Sequence, residues 1–405
     1  MWRKKLALLA VGTCLGLAAA EGLLRLTRIS YPLLYQPDAH CGSRLRPGVT
    51  GYWLKEGAAH LRINRHGWRD REHEFTKPRG KLRIAVLGDS FAEALQVPRE
   101  EAFWSVLESR LQDCRALGGR TVEVLNFGVS GYGTAQARLA LAHYVWQYDP
   151  DVVLLAFFAA NDVVNNSIDL ETDQVRPFYV RSRSGLALDN RFRQSTAFRH
   201  AQSAWESFRV RAINRSRLLQ LVWHTVQAHR APAPQVPRRP ALADRALVAP
   251  KGEAWTDAWF ITEKLLTAID DDVRRHGARF VVVTVPADFQ VNPDAAERRI
   301  FARRLGAERT DYADLRVEAL GRDREFLVIP LAEKMLRYAE RQRVYLYGFD
   351  EGQPGHGHWN RTGHRLAGEW IADALCGALA DSRRASRLWE TPSASAGVPR
   401  SARDP

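Results

Sequence analysis

Four polar clusters in this 405-residue chain hold residues of the types that acyl transfer uses: Gly88-Asp89-Ser90-Phe91, Gly128-Val129-Ser130-Gly131, Ala160-Asn161-Asp162 and Gly357-His358-Trp359. A serine hydroxyl is a weak nucleophile until an adjacent base takes its proton. Ser90 leaves an apolar segment in a tight turn, so its hydroxyl and its backbone N–H can both be presented at a rim. Gly131 offers an unhindered backbone N–H and Asn161 an amide donor. With the Ser90 N–H these make a three-donor oxyanion hole for a tetrahedral intermediate. His358 is the candidate base, with Trp359 as a wall for its ring. Taken singly, each residue is ordinary turn chemistry; the set and its order carry the reading. Ala92 stands where a G-x-S-x-G elbow has its second glycine, so the serine turn is not of that type.

The segments in front of these clusters must position them. "KLRIAVLGDSF", with its apolar run Ile84–Leu87, reads as a buried parallel strand. Thr121–Gly128 and Asp151–Phe158 read as two more, with helices around Glu100–Leu111 and Thr134–Gln147 between them. The rhythm resumes with a helix at Glu253–His276, a strand at Arg279–Ala287, a helix near Ala295–Leu305, a strand at Phe326–Leu331 and a helix at Thr362–Leu379. This alternation predicts an α/β fold, a three-layer α/β/α sandwich on a five-stranded parallel sheet of flavodoxin-like type. Ligands bind such sheets at the carboxyl ends of the strands, where three of the clusters fall.

The remainder divides the chain. Residues 1–28 form an apolar segment behind Arg3, Lys4 and Lys5, and 29–80 form a β-containing lead. An insertion at about 163–252 interrupts the α/β domain of 81–380, with one helix expected at Ser203–His229 and a Pro-rich linker after it. Residues 381–405 are a polar tail expected to be disordered. The apolar segment reads as a signal anchor, because continuing to Leu26 reaches the ~20 residues that span a bilayer. The basic residues before it place the body outside the cytoplasm. Ala18 and Ala20 leave cleavage before Glu21, and hence secretion, as the alternative.

These clusters resemble the blocks of the SGNH/GDSL hydrolase superfamily: "LGDSF", "NFGVSGYGT", "AAND" and "GHGHWNRTGH" stand for its serine, glycine, asparagine and histidine blocks. The resemblance covers about 81–162 and 279–379. It implies Ser90 as nucleophile, Ser90, Gly131 and Asn161 as oxyanion donors, His358 as base, and no metal or cofactor. Two departures stand out. Ala159 replaces the glycine that opens the third block. The acid usually found two or three residues before the histidine is missing, since those positions are His356 and Gly355. Either a Ser–His dyad operates or an acid comes from elsewhere, Asp350 being preferred over Glu351. The "HWN" form behind an N-terminal membrane segment is also similar to extracytoplasmic members that handle acetyl groups on surface polysaccharides.

The expected activity is therefore an extracytoplasmic serine esterase or O-acetyl hydrolase, acting on an acylated carbohydrate or other ester. An O-acetyltransferase and a non-catalytic carbohydrate-binding or assembly protein are the alternatives. The net charge is +13, yet only eight basic residues are lysine and the arginines are scattered. No basic stripe or nucleic-acid motif accompanies them, so nucleic acid is not an expected partner. On an exported protein that charge faces acidic glycans or headgroups. His356, His358 and His364 have no accompanying Asp/Glu pattern for a metal site. Of Cys14, Cys41, Cys114 and Cys376 none forms a CxxC pair; a Cys41–Cys114 bridge is open, with isolated thiols preferred.

Overall fold

The computed structural model describes residues 2–183, 185–230, 242–349 and 354–381. Helix α1 (Trp2–Leu26) leads into two antiparallel pairs, β1 (Tyr35–Asp38) with β2 (Gly42–Leu45) and β3 (Thr50–Trp53) with β4 (Ala59–Arg62). The α/β unit then runs β5 (Lys81–Gly88), α2 (Ser90–Glu93), α3 (Phe103–Gln112), β6 (Thr121–Asn126), α4 (Thr134–Ala140), β7 (Val152–Phe157) and α5 (Ala159–Asn165). After it come a hairpin, β8 (Phe178–Ser182) with β9 (Gly185–Asp189), and helices α6 (Thr196–Ala201), α7 (Ala204–Arg215) and α8 (Arg217–Arg230). The chain closes with α9 (Glu253–Arg275), β10 (Arg279–Thr284), α10 (Ala295–Arg304), α11 (Tyr312–Arg324), β11 (Leu327–Pro330), α12 (Ala332–Gln342) and α13 (Arg361–Ala380).

All five strands of the central sheet are parallel, in the order β11-β10-β7-β5-β6. Their side chains alternate between two cores. Ile84, Val86, Val124 and Leu154 pack with α3 and α13 on one face; Ala85, Leu87, Leu125 and Leu155 pack with α4 and α9 on the other. That is the expected three-layer sandwich. Its order reverses between β5 and β7, the switch point at which doubly wound sheets bind ligands.

The lead segment is built into this unit. Leu34, Leu45, Leu61 and Ile63 form a small core of their own with Leu95, just beyond α2. Further along, His73 sits between Asp70 and Glu123 of β6, at 3.0 and 2.8 Å, and Arg83 of β5 donates to Glu123 at 2.9 Å. Asp70 also accepts from the Asn126 backbone at 2.9 Å, so the segment straps the free edge of β6.

Several elements depart from the sequence reading. The helix expected at Ser203–His229 is two, broken at Ser216, whose extended backbone separates α7 from α8. The insertion holds the β8–β9 hairpin as well, and α11 and α12 were not anticipated. The helix after β6 ends at Ala140 and loosens into a π turn over Leu141–Val145. Residues 231–241 of the Pro-rich piece and 382–405 of the tail lie outside the described residues. Cys114 is bonded to Cys376, joining the end of α3 to α13, with Cα atoms 5.8 Å apart. The isolated-thiol expectation is thereby corrected, and Cys41 is buried and free. The bridge could not be seen locally because 262 residues separate its ends.

Candidate active site

The Asp89 carboxylate caps α2, accepting from the Phe91 N–H at 3.0 Å, and so places Ser90 at the first helical position beyond β5. The Ser90 hydroxyl donates to His358 Nε2 at 2.8 Å. The other ring nitrogen, Nδ1, faces Glu56 Oε2 at 2.6 Å, and the His358 backbone N–H donates to Glu56 Oε1 at 2.6 Å. A carboxylate there fixes the tautomer that leaves Nε2 free to accept the serine proton.

Glu56 belongs to the lead segment, in the turn between β3 and β4, and sequence reasoning missed it. Its carbonyl accepts from the Trp53 indole at 3.0 Å. The approach requires Gly357: a Cβ at that residue would lie 2.3 Å from Glu56 Oε1, and its φ is +88°. Two glycines flanking His356 were the available signal that something packs closely against this loop. Asp350, the acid preferred from sequence, lies outside the described residues, as does Glu351.

The electrostatics follow from these contacts. Burial alone disfavours an imidazolium at His358, but the hydrogen bond and charge of Glu56, with Asp89 and Glu93, more than offset it, and the pKa lies above the ordinary 6.5. Burial pushes the Glu56 carboxyl up, while its bonds from His358 outweigh that and hold it below the usual 4.5.

The three expected oxyanion donors are tied to α2 from both ends. Asn161, in the first turn of α5, donates to Asp89 Oδ2 at 2.7 Å. At the other end of α2, the buried Glu93 carboxyl accepts from the Ser130 N–H at 3.1 Å, from the Ser130 hydroxyl, and from the Tyr35 hydroxyl at 2.9 Å. Ser130 precedes Gly131, which has φ +80° and open space on its Cβ side. The Gly131 carbonyl is held in turn by Arg176 at 2.5 Å. Both peptide groups flanking Gly131 are therefore held in place.

Other sequence candidates separate. Trp359 is fully buried and packs on Phe91 and Phe103; the ring nearest His358 is Phe91, at 5.2 Å. His364, expected on the outer face of α13, is instead 1% exposed and accepts from the Phe103 N–H, its pKa driven to about 3 by burial. His356 is exposed and faces Asp288 at 3.2 Å. Among the described residues no group of three or more His, Cys, Asp or Glu is arranged to hold a metal. Ala159, in place of the usual glycine, is buried at the start of α5.

No family model matches the chain, and no curated protein matches it. Solved structures do. An acetyl xylan esterase is 15% identical, over 73% of this chain and 100% of its own, with a TM-score of 0.37. A lipase/acylhydrolase from Enterococcus faecalis is 16% identical over 73% and 96%, with a TM-score of 0.35. A catalytic mutant of an acetylxylan esterase from Geobacillus stearothermophilus is 10% identical over 74% and 94%, with a TM-score of 0.36.

Proposed function

We propose that this protein is a serine esterase that removes O-acyl groups through an acyl-Ser90 intermediate. The observation that carries the reading is the hydrogen-bonded chain Ser90–His358–Glu56 at the switch point of the sheet. In this mechanism His358 takes the Ser90 proton as Oγ attacks the ester carbonyl. Glu56 holds the imidazole and stabilises its charge without taking the proton. The oxyanion forms against the Ser90 and Gly131 N–H groups and the Asn161 amide. His358 then returns the proton to the leaving alcohol, and water repeats the sequence to release the acid. Glu56, as the proposed third member, answers the missing acid that motivated a non-catalytic reading.

An acetylated envelope carbohydrate is the proposed substrate class. The same residues serve transfer to a sugar hydroxyl when sugar replaces water as acceptor. Helix α1 supports an anchored, extracytoplasmic body: it is 25 residues long, its 18-residue apolar window has mean hydropathy 1.8, and none of that window is buried. The Cys114–Cys376 bond suits an oxidising compartment as well.

The test is turnover of p-nitrophenyl acetate by the purified chain beside Ser90→Ala, with a serine-directed phosphonate to locate the nucleophile. Activity lost in the variant and label found on Ser90 support the reading. Equal inertness of both proteins, with no label on Ser90, ends it. Product analysis with and without an added glycan acceptor separates hydrolysis from transfer.

A further inference from the structure

Beside the end of α1, the helices α7 and α8 leave apolar side chains uncovered. On α7, Trp205 and Phe208 are 66% and 59% exposed, their rings 5.9 Å apart. On α8, Leu219, Val222 and Val226 are 45%, 52% and 38% exposed and follow the spacing of one helical face. Single apolar residues on a surface need no explanation, but a grouped set marks an interaction.

Basic residues accompany this face. Arg211 and Arg215 are exposed along α7, His229 and Arg230 end α8, and Arg28 follows α1, whose Arg25 is paired with Glu21. Glu206, the acid in the first turn of α7, is paired with Arg209. This combination of an apolar face and a basic margin is what helices lying in a lipid interface carry.

The position of the pair is set by α1. Glu21 accepts from the Arg217 and Leu218 N–H groups at 3.0 and 2.9 Å and from the Ser216 hydroxyl at 2.9 Å, capping α8. Arg25 donates to the Arg215 carbonyl at 2.9 Å. The start of α8 is thus pinned to the last turns of the one helix, among the described residues, that is long and apolar enough to cross a bilayer. The junction of α7 and α8 therefore sits beside the end of α1 at which such a helix would leave the membrane.

We propose that α7 and α8 lie in the headgroup layer of an anionic bilayer, with Trp205, Phe208, Leu219, Val222 and Val226 reaching the acyl boundary. The inference rests on the anchor reading of α1. It gives the body a second attachment, so that α1 does not act as a swivel.

The test uses the full chain with Cys14→Ser and a single fluorescent label at Phe208→Cys or Val222→Cys, Cys41 being buried and the other two cysteines bonded. Retained p-nitrophenyl acetate turnover reports that each variant folds. The protein is reconstituted in vesicles of phosphatidylcholine and phosphatidylglycerol containing a nitroxide lipid, and protease protection of the N-terminus reports insertion of α1. Loss of fluorescence at both positions, absent for a label at Arg299→Cys on α10, is the expected result. An inserted α1 with unquenched labels at both positions overturns the proposal while sparing the anchor. Failure of α1 to insert removes both. Oxidative cross-linking of the unlabelled Phe208→Cys variant between copies, with no quenching of the labelled one, assigns the face to a second copy instead.

Discussion

At the residue scale one imidazole stands between a serine and a glutamate. The proposed mechanism needs His358 neutral, and its pKa is raised, so the base form is lost as pH falls through a value above 6.5. The acid limb of kcat/KM should therefore have its midpoint above 6.5 and activity should persist on the alkaline side. Glu56→Gln removes the charge that raises the pKa, and the midpoint should move down; an unmoved limb would mean that Glu56 does not face the working base. The oxyanion reading makes a separate prediction. Asn161→Ala should lower kcat by about 10²–10³-fold, the usual cost of losing one such donor, with little change in KM. Steady-state kinetics on p-nitrophenyl acetate reads both numbers, and an unchanged kcat would remove Asn161 from the site.

At the scale of elements, the proposed chemistry depends on how closely a loop from one end of the chain approaches a loop from the other. Gly357 is the point of contact. Gly357→Ala places a methyl against Glu56 Oε1 and a side chain at positive φ, a strain of roughly 1–2 kcal/mol. It should lower kcat toward the level of Glu56→Gln while far-ultraviolet circular dichroism stays native. Wild-type turnover in that variant would show that the Glu56 contact is dispensable. The same geometry explains what the sequence disclosed. β5 and β7 were legible because central strands carry apolar runs, and the polar residues at their carboxyl ends stand directly after them in the chain. Glu56 was not, because it lies 302 residues from the His358 that it contacts. It sits in a segment whose only local signature was a short β-like pattern. The break between α7 and α8 was hidden for a different reason: Ser216 interrupts an otherwise helical periodicity and is stabilised by Glu21, far away in sequence.

At the scale of the whole molecule, the described residues build an α/β unit in which the lead segment contributes to both the candidate site and the sheet edge. The lead supplies Glu56, holds Glu93 through Tyr35, and straps β6 through Asp70 and His73. The Cys114–Cys376 bond closes a loop of 262 residues. Reduction should lower the stability of the folded chain by about 2–4 kcal/mol, read as a drop in the denaturant midpoint with dithiothreitol and reproduced by Cys376→Ser. Identical midpoints would show that the bond does not form in the folded protein. The net charge of +13 is of the sign that the proposed place beside anionic headgroups calls for.

A glutamate from the lead segment completes the proposed catalytic set, and three acylation rates decide whether it does. Single-turnover acylation by p-nitrophenyl acetate should be measured for the wild type, Glu56→Gln and Asp350→Asn. Glu56→Gln should lose about 10⁴-fold, the cost of replacing the acid of a serine triad, and Asp350→Asn should stay near the wild-type rate. A wild-type acylation rate in Glu56→Gln, with the loss falling on Asp350→Asn instead, would contradict that assignment.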